Sequence, residues 1–261
     1  MNVTHYAEIN TLLETLLKEQ QKILGDKFVG LYLYGSLIWG DFYYALSDID
    51  LLAALQSDLT DEEAKALKKK HEELAQKFKD WDDRIEVQYL SLHGLRTFKT
   101  QRSPMGNISP GEPFHVITVG KEWLLNWYFV QDYGKILYGP DPRGFIDKVT
   151  KEEFIQAVKD HALDWKKYIQ NIGKHRGAQA YAILTLCRAY YTIKNGKQVS
   201  KKEAATWMQE KFPKWKLLIQ NALKWRDEQI INKTEDLSGY PQTVAFVTAV
   251  IDLIEKESAS S

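Results

Sequence analysis

The chain has 261 residues, and its 35 Lys and Arg are balanced by 35 Asp and Glu. That balance gives no overall field favouring nucleic acid; the 44% hydrophobic and 27% charged residues are those of a globular protein with one large core or two small ones. No apolar run approaches the roughly 18 residues of a membrane span, and the N-terminus lacks a signal peptide's basic start and apolar core, so a cytoplasmic protein without a membrane partner is expected.

Residues near Tyr6 to Leu24 set Ile9, Leu12, Leu13, Leu16, Leu17, Ile23 and Leu24 at helical spacing. Phe28 to Tyr34, dense in aromatic, β-branched and aliphatic residues and stopped by Gly35, has the pattern of a buried strand. A second such run, Asp48 to Leu55, predicts another. Side chains two apart on a strand share a face, so Asp48 and Asp50 project together while Ile49 points into the core. Two carboxylates about 5 Å apart repel by about 3 kcal/mol at an effective dielectric near 20, which calls for a cation. A pair of Asp with substrate phosphates is a usual way to hold Mg²⁺. Gly35-Ser36 supplies the complement: a sharp turn that leaves backbone N–H groups and a hydroxyl free to approach phosphate oxygens. At this spacing, each against a strand, the two motifs predict a metal and phosphate site of the kind used in nucleotidyl transfer.

Thr60 and Glu63 form a capping box that opens a helix to about Phe78, and Lys68-Lys69-Lys70 is its solvated face. Arg84 to Leu90 reads as a third strand with Ile85, Val87 and Tyr89 on one face, which puts Glu86 and Gln88 on the other. From this stretch alone, Glu86 is equally well a solvent-facing acid. Tyr138-Gly139-Pro140-Asp141-Pro142 cannot continue regular structure, so a boundary falls near Pro140 to Val149, dividing the chain into domains 1–148 and 149–261. Thr150 with Glu153 caps the next helix, and helices follow almost without strands to Ile254. The single cysteine, Cys187, lies in a helical apolar pattern and reads as a buried structural thiol. Ser200 and Glu203 have capping-box spacing, which makes Lys201 and Lys202 the first residues of a helix, where positive charge opposes the macrodipole unless an anion sits there. Arg188 ends the apolar stripe Ala180, Ile183, Leu184 and Cys187, with a structural ion pair as the alternative to an anion contact.

Gly35-Ser36 through Ser47-Asp48-Ile49-Asp50-Leu51 resembles the signature of the polymerase-beta-like nucleotidyltransferase superfamily. Gln179 to Arg188, then Gly196-Lys197, Ser200-Lys201 and Ala204-Ala205-Thr206-Trp207, look like the helical C-terminal domain of the streptomycin/spectinomycin (3″)(9) adenylyltransferases, and Leu137-Tyr138-Gly139-Pro140 matches a landmark just before that domain. The stretch from about Leu95 to Thr118 matches least. The resemblance implies an α+β fold: a nucleotidyltransferase domain with a small mixed sheet flanked by helices, then an all-α bundle, with the active site in the cleft between them. It implies Mg²⁺-dependent transfer of AMP from ATP to a hydroxyl of a small molecule, with release of pyrophosphate, by a monomer. Asp48 and Asp50 would hold the metal, and Glu86 would be the base or a third ligand. Gly35, Ser36 and Ser47 would steady the β- and γ-phosphates, and Arg188 and Lys201 would contact nucleotide phosphate. Trp225 would stack on adenine or simply pack.

The acceptor is the open part of this reading. A polycationic aminoglycoside or aminocyclitol needs carboxylates and polar faces, for which Asp82, Asp83 and Glu86 are the N-terminal candidates and His175 a further contact. Relatives carry an acidic segment before the helix of the arginine, whereas here Gly173-Lys174-His175-Arg176-Gly177-Ala178 stands in its place. A basic segment there would repel streptomycin or spectinomycin, which leaves another hydroxylated small molecule open as the acceptor; a separate alternative is a protein or tRNA end, as in toxin-antitoxin transferases.

Overall fold

A computed structural model of the chain describes residues 3–172, 175–228 and 239–259. Gly173 and Lys174 of the basic segment lie outside the described residues. The chain divides into two compact units, Met1–Val149 and Thr150–Ser261.

The first unit runs α1 (Ala7–Leu24), β1 (Phe28–Tyr34), α2 (Ser36–Trp39), β2 (Ile49–Leu55), α3 (Asp61–Lys77), β3 (Ile85–Ser91), α4 (Leu92–Thr97), β4 (Ser103–Ser109), β5 (Glu112–Val119), α5 (Leu124–Tyr133) and β6 (Lys135–Tyr138). The strands form one mixed sheet in the order β5-β4-β3-β2-β1-β6. Only β2 and β3 pair in parallel, with α3 as their crossover, and the other neighbours are antiparallel. On the helix-covered side, Ile9, Leu12, Leu13 and Leu16 of α1 and Leu67 and Leu74 of α3 bury against Leu31, Leu33, Leu51, Ala53, Val87 and Tyr89 of the strands. The apolar residues of α1 therefore do what their spacing predicts. The α3 capping box is complete: the Thr60 hydroxyl accepts the Glu63 N–H while the Glu63 carboxylate accepts the Thr60 N–H. The strand predicted from Asp48 begins one residue later, at Ile49.

His71 of α3 is one of several polar side chains buried in this unit. It is buried and its Nε2 lies 2.8 Å from the Tyr89 hydroxyl, which also accepts from Gln20 Nε2 at 2.7 Å. Burial pushes the imidazole down to about 4. The unfolded chain takes up this proton near pH 6.5 and the folded one only near 4, so stability is intact above 6.5 and falls as pH drops between the two values. His71→Gln keeps a partner for Tyr89 and removes the titration. In urea unfolding, the wild type should therefore lose about 2 kcal/mol more than the variant between about pH 7.5 and about pH 5; equal losses would contradict the assignment of a neutral buried imidazole.

The second unit is helical: α6 (Lys151–Tyr168), α7 (Arg176–Asn195), α8 (Lys201–Lys211), α9 (Lys216–Glu228) and α10 (Tyr240–Ala259). α7 is its axis and packs against the other four. It buries Ala180, Ile183, Leu184, Leu186 and Cys187, and burial holds the Cys187 thiol well above its usual pKa, as suits a structural thiol. α6 opens with the Thr150–Glu153 capping box, formed in both directions. At α8 the Ser200 hydroxyl accepts the Glu203 N–H. The fold class is thus α+β with a mixed-sheet unit followed by an all-helical one. Among the described residues, no helix is long and apolar enough to cross a membrane.

Candidate active site

Three adjacent strands place the acidic residues. Tyr34 of β1 pairs in register with Asp50 of β2, and Asp50 pairs with Glu86 of β3, so the three share a row on the sheet face opposite α1 and α3. Asp48, one residue before β2, joins them: half-buried Asp48, Asp50 and Glu86 each present a carboxylate oxygen within 4.8 Å of the others. Glu86 is therefore no solvated surface acid. Burial first, then the negative charge of Asp48, pushes its carboxyl up to about 7, against an opposing hydrogen bond from Gln88. A carboxylate tuned there can hold or give up a proton near neutrality, and the triad's repulsion would be relieved by a divalent cation.

Gly35 fits the opposite wall of this cluster. Its backbone, φ 77° and ψ −156°, lies in a region that essentially only glycine occupies. A Cβ there would stand 1.7 Å from Asp50 Oδ2, so the chain passes directly against the carboxylate. After Gly35 the backbone winds into the single turn of α2, whose first amides have no intrahelical acceptor. The Ser36 hydroxyl is buried and has no hydrogen-bond partner. A buried hydroxyl left unsatisfied costs about 1–3 kcal/mol, and it fits a ligand that supplies an acceptor, such as a phosphate oxygen. On both counts, the acidic triad and the orphaned hydroxyl, the residues present fit a divalent metal with a phosphate.

The loop before β2 is held by contacts that the sequence motif does not announce. The Arg84 guanidinium donates to the Ser47 carbonyl at 2.6 and 3.2 Å, to the Tyr44 carbonyl at 2.6 Å and to the Asp80 carbonyl at 2.9 Å, and it stacks 4.3 Å from the Trp81 ring. The Ser47 hydroxyl accepts the Tyr43 N–H at 3.0 Å. These bonds fix the residue before Asp48 to the start of β3. A second set lies beside Glu86: Gln88 Nε2 donates to Glu86 Oε1 at 2.8 Å, Tyr34 OH donates to Gln88 Oε1 at 2.7 Å, and Asn126 Nδ2 donates to Tyr34 OH at 3.1 Å. The alternation of β3 brought Gln88 to Glu86's face on sequence alone, but Tyr34 and Asn126 become legible only once the strand order is known.

Asp82 and Asp83 occupy the turn before β3 and line a cavity of about 400 Å³ with Ile85, Ile108 and Phe114. Ile85 adjoins Glu86 on the strand and faces the other side of the sheet, so this cavity opens on the helix-covered side. Asp83 also contributes to the fold, since its carboxylate accepts the Gly111 N–H at 2.6 Å and ties the β4–β5 turn to the start of β3.

In the helical unit, Lys201 begins α8, and its ammonium stands 4.0 Å from the centre of the half-exposed Tyr181 ring, a cation–π contact that partly meets its charge. Arg188 of α7 is half-buried. Burial, then the positive charge of Arg188, hold the His161 imidazole below its usual pKa, with Asp164 opposing and Lys201 adding to the shift, so the arginine, the lysine, this histidine and an acid are electrostatic neighbours. The Arg176 guanidinium lies 5.9 Å from the Trp225 ring centre, and His175 is exposed at the N-cap of α7.

Comparison with known proteins agrees with both units. Residues 145–252 match the family model for the aminoglycoside adenylyltransferase C-terminal domain. Aminoglycoside (3″)(9) adenylyltransferases of Shigella flexneri and Escherichia coli are each 24% identical over 220 residues, covering 79% of this chain and 80% of theirs. The spectinomycin adenyltransferase AAD(9) of Enterococcus faecialis, solved with ATP and spectinomycin, superposes with a TM-score of 0.73 at 17% identity, covering 94% of this chain and 99% of that one. That likeness establishes the shared fold.

Proposed function

Taking the chain as a nucleotidyltransferase that resembles the aminoglycoside adenylyltransferases in sequence and fold, we propose that it transfers AMP from ATP to a hydroxyl of a small molecule, an aminoglycoside or aminocyclitol of the spectinomycin or streptomycin type. The observation that carries the reading is the convergence of Asp48, Asp50 and Glu86 beside the glycine-only turn at Gly35 and the unpartnered Ser36 hydroxyl.

The acceptor oxygen would attack the α-phosphorus, the bond to the bridging oxygen of the β-phosphate would break, and pyrophosphate would leave. Mg²⁺ held by Asp48 and Asp50 would neutralise the triphosphate and stabilise the developing charge. Glu86, raised toward neutrality, is suited to take the proton of the attacking hydroxyl. Ser36 and the amides after Gly35 would donate to the β- and γ-phosphates, with Ser47 shaping the same loop. Arg188 and Lys201 would contact nucleotide phosphate, Trp225 the adenine side and His175 the acceptor, whereas Asp82 and Asp83 line a cavity on the face of the sheet opposite Glu86 and are not assigned to the acceptor.

With Mg-ATP, pyrophosphate release should rise on addition of one member of a panel of aminoglycosides and aminocyclitols and stop with EDTA. Release that ignores every small acceptor but follows added tRNA or protein would move the assignment to a macromolecular acceptor.

A further inference from the structure

The geometry assigns Gln88 and Tyr34 as positioning residues for Glu86, acting through a buried hydrogen-bond chain that begins at Asn126. The two side chains are 0% and 2% exposed, and the half-buried Glu86 carboxylate ends the chain. Each link is a good hydrogen bond: Asn126 to Tyr34 at 3.1 Å, Tyr34 to Gln88 at 2.7 Å and Gln88 to Glu86 at 2.8 Å. The chain spans α5, β1 and β3, so strand order sets its length.

A pair that only satisfied itself inside the core would be an expensive way to fill space, because buried polar groups are costly unless each is matched, and apolar side chains would pack there without that demand. What the chain delivers at its open end is direction. Tyr34 occupies Gln88 Oε1, which turns the amide so that Nε2 faces Glu86. That donor then takes Glu86 Oε1 and fixes the plane of the carboxylate, leaving Oε2 with a set orientation for a metal or a substrate proton. The strand register provides the same ordering: Tyr34, Asp50 and Glu86 lie in one row, with Gln88 the next residue on that face.

Two variants test the role. Gln88→Met preserves length and packing but donates nothing; Tyr34→Phe removes one hydroxyl and leaves the ring in place. The first readout, Mn²⁺ binding measured by calorimetry, needs no turnover. The second, the kcat and KM for ATP, rests on the transfer reaction proposed above. Gln88→Met should weaken Mn²⁺ binding or lower kcat by about 10–100-fold, with the KM for ATP within about twofold of the wild type. Tyr34→Phe should act in the same direction by about fivefold, the worth of one ordinary hydrogen bond. Loss in kcat with Mn²⁺ binding intact supports the role and makes Glu86 the base; loss of Mn²⁺ binding supports it and makes Glu86 a ligand. If both variants, folded by circular dichroism, keep Mn²⁺ affinity and kcat within about twofold of the wild type, the role is overturned. Should Gln88→Met not fold, Tyr34→Phe alone decides. A wild type whose Mn²⁺ affinity depends on Gln88 but which transfers no AMP would sink the proposed reaction and leave the positioning role standing.

Discussion

Asp50→Asn should abolish AMP transfer, by at least about 10³-fold, more than the 10–100-fold usual for removing an outer-shell partner, while the protein melts no lower than the wild type. The two halves of this result have one origin. Asp50 is the central member of the triad, paired in register with Glu86 and with an oxygen within 4.8 Å of those of both other acids. At that separation and an effective dielectric near 20, two ionised members of the cluster repel by about 3 kcal/mol, so neutralising Asp50 relieves its repulsion with whichever of the other acids is ionised when no cation is present. The same change halves the Asp pair that would hold Mg²⁺, and pyrophosphate cannot leave without its charge being met. Activity and stability then move in different directions, as expected where function concentrates like charge. Thermal melting and pyrophosphate release on the same preparation read both. Retained activity would remove Asp50 from the metal site, and a large drop in melting temperature would make it a structural residue.

Gly35→Ala is the second large effect. Alanine at φ 77°, ψ −156° costs about 1–3 kcal/mol in backbone strain alone. Its Cβ would fall 1.7 Å from Asp50 Oδ2 and 2.5 Å from Asp50 Cγ, so the carboxylate has to leave its place beside Asp48 and Glu86. Activity should fall by about 10²-fold or more, as expected when reacting groups are displaced by an ångström. Gly40 is the control: it too has positive φ, at 74°, but a Cβ there meets nothing within 4 Å. Gly40→Ala should lower stability by about 1–2 kcal/mol and leave kcat within a few-fold of the wild type. Equal kinetic losses in the two variants would show that strain, and not the approach to Asp50, governs the turn.

The parts of the fold that were legible in sequence are those where local chemistry and burial agree. β1 and β2 are apolar almost throughout because both their faces are covered, and Gly35 ends β1 for a steric reason that its positive φ makes plain. Thr60 and Thr150 announce their helices through capping boxes that both form. The β4–β5 hairpin was illegible for the opposite reason: β5 is an edge strand with Glu112, Pro113, His115 and Val116 exposed, so its pattern is not that of a buried strand. Only Ser109-Pro110-Gly111, a turn signal, marked it. In the site, Asp48 and Asp50 were legible because two-residue alternation puts them on one face, and Glu86, which its own stretch left equally well a solvent-facing acid, was legible through the family resemblance. Arg84, Tyr34 and Asn126 were not, since each acts through partners that only strand order and loop closure bring near. Asp82 and Asp83 show the reverse limit: adjacency to Glu86 in sequence does not carry across the pleat, and they line a cavity on the other side of the sheet.

The central claim is that the chain joins AMP to a small hydroxylated acceptor, and the mass of the product tests it most directly. Incubated with Mg-ATP and spectinomycin or streptomycin, the wild type should yield an acceptor heavier by one AMP together with one pyrophosphate, and Asp50→Asn should yield neither. ADP and phosphate as the only products, or AMP found on protein or tRNA and on no small molecule, would contradict it.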